Sequence, residues 1–193
     1  MSRSAYSLVE LVLCLGLVVL LGALAAPGLM AGRDAVRADG AADYLSALLH
    51  GARMDALKRR ASVAIRFETD EQGYALAAYV DGDGDGVRSA DITSGVDTLL
   101  RPRERIEDKF TDVRFGFEPG VPDVDGTEAT ADGDPIRVGS SRMLSFSPTG
   151  TSSTGTVYLR GRGRRQLAVR VLGVTGRIRT LWFDFGAGQW QSR

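Results

Sequence analysis

Residues 11–32, LVLCLGLVVLLGALAAPGLMAG, carry no formal charge over 22 positions, and Glu10 stands at their head. Wound as an α-helix at about 1.5 Å per residue, the run is about 33 Å long, the depth of a bilayer's hydrocarbon core. It divides the chain into an apolar arm and roughly 160 further residues, which suits one soluble domain. Three fates are open to the arm. As a secretory signal it offers "ALA" at 23–25, a small-residue cut before Ala26. As a signal anchor it has only Arg3 and the terminal amine to set orientation. As an assembly segment it makes Glu10 functional: a carboxylate at the lipid edge costs roughly 2.5–3.5 kcal/mol and is kept where it has a partner, such as the amine of another copy.

Beyond Gly32 the helical period continues. Tyr44, Leu45, Leu48, Leu49, Ala52, Ala56 and Leu57 recur at steps of three and four, with charged residues between them. One helix reaching about Arg60 is predicted, apolar over 6–32 and amphipathic over 33–61. From Ser62 the period falls to two. Strands are predicted at 62–67, 74–80, 112–117, 142–147, 155–161, 166–172 and 177–183. The stretch 119–134 is rich in Gly, Pro, Asp and Thr and predicts an exposed acidic loop. The fold class is therefore α+β: a long N-terminal helix on antiparallel sheet, the globular part covering 62–193.

Zero net charge conceals a strong segregation. Residues 1–67 hold 8 basic and 5 acidic groups, 68–134 hold 6 and 18, and 135–193 hold 10 arginines against Asp184. The successive charges are +3, −12 and +9. Either the acidic stretch neutralises the basic one within the domain, or copies meet head to tail. The only cysteine, Cys14, lies in the apolar run, so the soluble part forms no disulfide. One histidine, His50, leaves no residue set for a zinc site or a His-based catalytic group, and no enzyme is expected.

Two constellations have binding chemistry. In "DGDGDGVRSAD", Asp81, Asp83 and Asp85 alternate and Gly86 follows, the opening of a calcium loop, but its twelfth position is Ile92. The same residues also make an ordinary Asp-Gly turn. No other cofactor is expected. In the basic part, "RGRGRR" brings Arg160, Arg162, Arg164 and Arg165 to the tip of a predicted hairpin. Arg177 and Arg179 share a strand face behind Gly176. Guanidinium forks match phosphate geometry; the alternative is that these arginines meet the acidic segment or a neighbouring subunit.

"AYSLVEL" resembles the type IV prepilin signature, in which a short leader ends before an aromatic residue and a glutamate follows four positions later. The resemblance implies cleavage by prepilin peptidase between Ala5 and Tyr6, with residues 1–5 as the leader and N-methylation at Tyr6. It gives Glu10 an assembly role and makes Pro27 the helix proline. Ala5 stands where the family commonly has glycine. "ARMDALKRRASVAIRF", "LSFSPTGTSSTGTVYL" and "VTGRIRTLWF" are similar to the minor pseudopilin H of type II secretion systems and to FimT-type minor pilins. The first likeness implies a single-pass inner-membrane protein with a periplasmic domain, assembled with other pseudopilin or pilin subunits for protein secretion. The second implies DNA binding through Gly176, Arg177 and Arg179.

Overall fold

The computed structural model describes residues 7–127 and 133–193, apart from the side chains of 25–27 and 29–31. One helix, α1 (Leu8–Arg59), carries the domain. Its C-terminal half buries Ala38, Ala41, Ala42, Leu45, Leu48, Leu49, Ala52 and Ala56, the three-and-four spacing of an apolar stripe. Lys58 and Arg59 in the last turn oppose the negative end of the helix dipole, and Arg60 closes it in the left-handed region at φ 55°.

Two antiparallel sheets lie against that stripe. The first orders its strands β3-β2-β1-β6, with β1 (Val63–Asp70), β2 (Gly73–Val80), β3 (Thr98–Glu104) and β6 (Met143–Phe146). The second orders them β10-β9-β8-β7-β4, with β4 (Arg114–Phe115), β7 (Gly155–Gly161), β8 (Arg165–Leu172), β9 (Arg177–Asp184) and β10 (Gln189–Ser192). A short β5 (Ile136–Arg137) also pairs with β7. Two short helices, α2 (Ser89–Ser94) and α3 (Ile106–Lys109), flank β3 in sequence.

Alternation explains which face of each sheet meets the helix. Val63, Ile65 and Phe67 of β1, Leu144 and Phe146 of β6, and Val157, Leu159, Leu167, Val169 and Val171 of β7 and β8 join the α1 stripe in one core. The sheets join at a seam where Ser145 and Ser153 exchange two 2.9 Å hydrogen bonds, one through the Ser153 hydroxyl. At the β7–β8 hairpin the helix comes so close that a Cβ on Gly161 would lie 2.7 Å from that of Ala38. Two small residues set this spacing.

The α+β architecture agrees with the sequence reading, with three differences. The strand expected over 112–117 shrinks to the two residues of β4: Gly116 still donates its amide to the Tyr158 carbonyl of β7 at 3.2 Å, and from Phe117 the chain starts a covering segment. That segment is exposed at 119–120 and 125–127, as the loop expected over 119–134 requires, but covered at 121–124. Val121 and Asp123 are only 1% and 3% exposed, and Phe117, Val124, Tyr158, Ala168, Leu181 and Trp190 form a second apolar cluster with it. Residues 128–132 of that expectation lie outside the described residues. Finally, β3 and β10 are strands that no clear alternation in the sequence marks.

Candidate functional site

Among the described residues nothing packs on α1 between Leu8 and Leu24. From Leu8 to Leu24 every described side chain is exposed, including twelve large apolar ones. Leaving a Leu or Val side chain in water instead of burying it forgoes about 1.5–3 kcal/mol, so this arm holds on the order of 20 kcal/mol of unused burial. Glu10 lies in the first turn, where the helix dipole favours a carboxylate, and makes no ion pair among the described residues. Ala5 and Tyr6 lie outside the described residues; Pro27 belongs to α1, and its side chain lies outside them. Among the described residues no helix is long and apolar enough to cross a membrane.

At the other end of the domain two loops meet on Arg53. The loop of "FSPTG" (146–150) and the turn before β9 are both left-handed at a glycine, Gly150 at φ 88° and Gly176 at φ 58°. A Cβ on Gly176 would lie 2.5 Å from the Gly150 carbonyl oxygen and 3.0 Å from Arg53 Nε. Arg53 Nη2 donates to the Thr175 carbonyl at 3.1 Å. Gly176 is thus fixed by backbone packing, whatever the arginines after it do.

Arg177 and Arg179 do share one exposed face of β9, as the spacing requires. Across the ladder Arg179 faces Arg170, which pairs with Asp125 at 2.8 Å. The hairpin-tip arginines separate into different roles. Arg160 pairs with Glu118 and Arg165 with Asp39 (2.8 Å), while Arg162 reaches Asp112 at 3.4 Å. Arg164 lies over the Phe185 ring at 4.6 Å. In the covering segment Asp123 takes the Arg137 guanidinium at 2.6 Å and the amides of Asp125 and Thr127. Arg142 pairs with Asp134 and Arg193 with Asp43.

The charge segregation is therefore resolved largely inside the domain. Of the C-terminal arginines, Arg164, Arg177 and Arg179 make no ion pair among the described residues. They also lie on two separate parts of the sheet.

Asp81, Asp83 and Asp85 do converge, each offering a carboxylate oxygen within 4.8 Å of the others. Much of their capacity is already used. Asp81 accepts the amides of Gly84 (2.7 Å), Gly86 (2.9 Å) and Asp83 (3.2 Å). Burial pushes its carboxyl up, but those donors prevail and hold it below the ordinary carboxylate range. Asp85, raised by partial burial and by Asp83, forms an ion pair with Arg88. Asp97, which the sequence reading passed over, closes the loop from the far side by accepting the amides of Gly82 and Arg88. The same carboxylates thus also tie the turn through its own backbone amides.

The family model for the type II transport protein GspH matches residues 41–175. That range takes in the helix stripe from Ala41 onward, β1 to β8 and the loop 146–150, and ends at Thr175, one residue before Gly176. No curated protein and no solved structure matches the chain.

Proposed function

The chain belongs to the GspH family of type II transport proteins, and from that premise we propose that it is a minor pseudopilin anchored by a single apolar helix. The family is one of structural subunits, so the role in type II secretion is assembly with other pseudopilins rather than catalysis. The observation that carries the finer reading is the bare arm of α1. Its side chains are exposed all round, so its natural surroundings are lipid and the helices of neighbouring subunits rather than water. In this reading prepilin peptidase cuts between Ala5 and Tyr6, Tyr6 becomes the N-methylated terminus, and residues 6–32 span the inner membrane with the domain in the periplasm. Glu10 then pairs with the terminal amine of an adjacent subunit. That attraction is strong in a low-dielectric setting and offsets part of the cost of taking both charges from water.

Protein recovered from its native membrane is expected to begin at Tyr6 and to carry one added methyl group, read by intact-mass and N-terminal peptide analysis. A chain beginning at Ala26 would mean that the arm is discarded as a signal peptide. Retention of Met1 would show that Ala5 is not accepted at the cleavage site. Either result overturns the assembly reading of the N-terminus.

A second reading, DNA capture by a FimT-like minor pilin, is favoured by one observation: Arg177 and Arg179 are exposed on one face of β9 and pair with no carboxylate among the described residues. DNA affinity of the full chain in detergent is then expected to fall steeply with salt. The Arg177→Ala/Arg179→Ala double variant should lower the log–log slope by roughly 0.7–0.9 for each phosphate it no longer neutralises. No DNA retention at low salt removes this reading and leaves the pseudopilin one intact.

A further inference from the structure

The β7–β8 hairpin tip docks on α1 immediately after the apolar run ends. Gly161 touches Ala38 and Arg165 holds Asp39 at 2.8 Å, six and seven residues past Gly32. At about 1.5 Å per residue, Ala38 stands about 9 Å along the axis from Gly32. Bilayers of about 40–45 Å with a core of about 30 Å leave roughly 5–8 Å for each headgroup layer. If residues 6–32 span the membrane, the tip therefore rests at the headgroup surface.

The groups presented there have an excess of positive charge. Arg37 and Arg162 converge on one carboxylate, Asp112, at 4.0 and 3.4 Å, and remain 47% and 68% exposed. Arg33 precedes Arg37 by one helical turn and is exposed, as is Arg164 at the tip itself. Beside them opens a cavity of about 310 Å³, where Arg114, Arg160 and Arg162 meet Asp112 and Glu107. Arg160 is spent on Glu118; Arg37 also meets Asp34 at 3.7 Å and shares Asp112 with Arg162, so the four arginines Arg33, Arg37, Arg162 and Arg164 face two carboxylates, Asp34 and Asp112.

We propose that this basic collar, built from Arg33 and Arg37 on the helix and Arg162 and Arg164 on the hairpin tip, binds the phosphates of anionic phospholipids. It thereby seats the domain flat on the membrane from which its helix emerges. The inference rests on the membrane-spanning reading above. It assigns the "RGRGRR" tip to lipid, apart from the Arg177 and Arg179 face on which the DNA reading stands. An arginine close to an anionic surface gains about as much as a fivefold change in affinity, and the attraction decays within a Debye length of about 8–10 Å. Only groups held as near as these would benefit.

The test reconstitutes the full chain into nanodiscs of pure phosphatidylcholine, or of phosphatidylcholine with phosphatidylglycerol, and follows amide hydrogen exchange at residues 162–164. Exchange at the tip is expected to slow about fivefold or more in the phosphatidylglycerol discs only. The Arg162→Glu/Arg164→Glu variant should lose that protection, while core amides of β8 stay unchanged in both lipids. Equal exchange in the two compositions overturns the lipid proposal and leaves the span standing. Failure of the chain to insert in either disc overturns the span, and the collar with it.

Discussion

Leu49→Ala is expected to lower the stability of the folded domain by about 2–5 kcal/mol, the range for deleting a fully buried leucine side chain. Leu49 is 0% exposed on the stripe of α1 that faces both sheets, so the missing methyls leave a cavity whose walls belong to separate layers. Such a site collapses poorly, which places the loss in the upper part of that range. Urea unfolding of the full chain in detergent, followed by Trp182 and Trp190 of the six-stranded sheet, reads the effect. With a slope of about 1–3 kcal/mol per molar urea, the midpoint should fall by about 1 M or more. Met54→Ala, one turn on and 49% exposed, should move it by no more than about 0.5 kcal/mol. Equal shifts in the two variants would mean that the stripe does not hold the sheets.

Glu10→Gln should separate anchoring from assembly. The neutral amide removes most of the roughly 2.5–3.5 kcal/mol that an acid costs within lipid, so membrane retention should hold or improve. Assembly should move the other way, because the amide gives a neighbour's ammonium no charge to meet. Cross-linking of the subunit to other pseudopilins in membranes is expected to fall about tenfold or more, which corresponds to losing about 1.4 kcal/mol or more of pairing. Undiminished cross-linking of a well-anchored Gln variant would leave Glu10 without an assembly role. Reduced anchoring would contradict the lipid setting itself.

Much of the fold is legible in the sequence because the period of apolar residues changes cleanly at Ser62. The stripe from Leu45 to Ala56 and the strands β1, β7, β8 and β9 are read from spacing alone, although β7 and β8 bury their second face too, where Tyr158 and Ala168 meet the covering segment. β3 escapes because it is an edge strand, and its sequence TLLRPRE carries the charges and proline that shield an edge instead of an alternating face. β10 has only four residues, too few to show a period. The covering segment is hidden for another reason: its anchor, Asp123, is buried through bonds to backbone amides and to Arg137. No pattern in a Gly-, Pro- and Asp-rich stretch separates such a hub from an exposed turn. Within the candidate site, the shared face of Arg177 and Arg179 follows from the two-residue period. The partners of Arg160 and Arg165 are distant in sequence and need the fold.

The close fit of Ala38 against Gly161 also fixes an order of events during synthesis. Asp39 waits for Arg165, 126 residues later, and Asp43 waits for Arg193, 150 residues later. Contacts so remote in the chain form last and slowly. The helix emerges first and β1 follows it at once, but the rest of the stripe's cover, from β6, β7 and β8, waits for the final third of the polypeptide. A chain that stops before β7 would leave Leu45, Leu48 and Leu49 covered by the first sheet alone. Closure of the core is therefore the work of the last strands to be made.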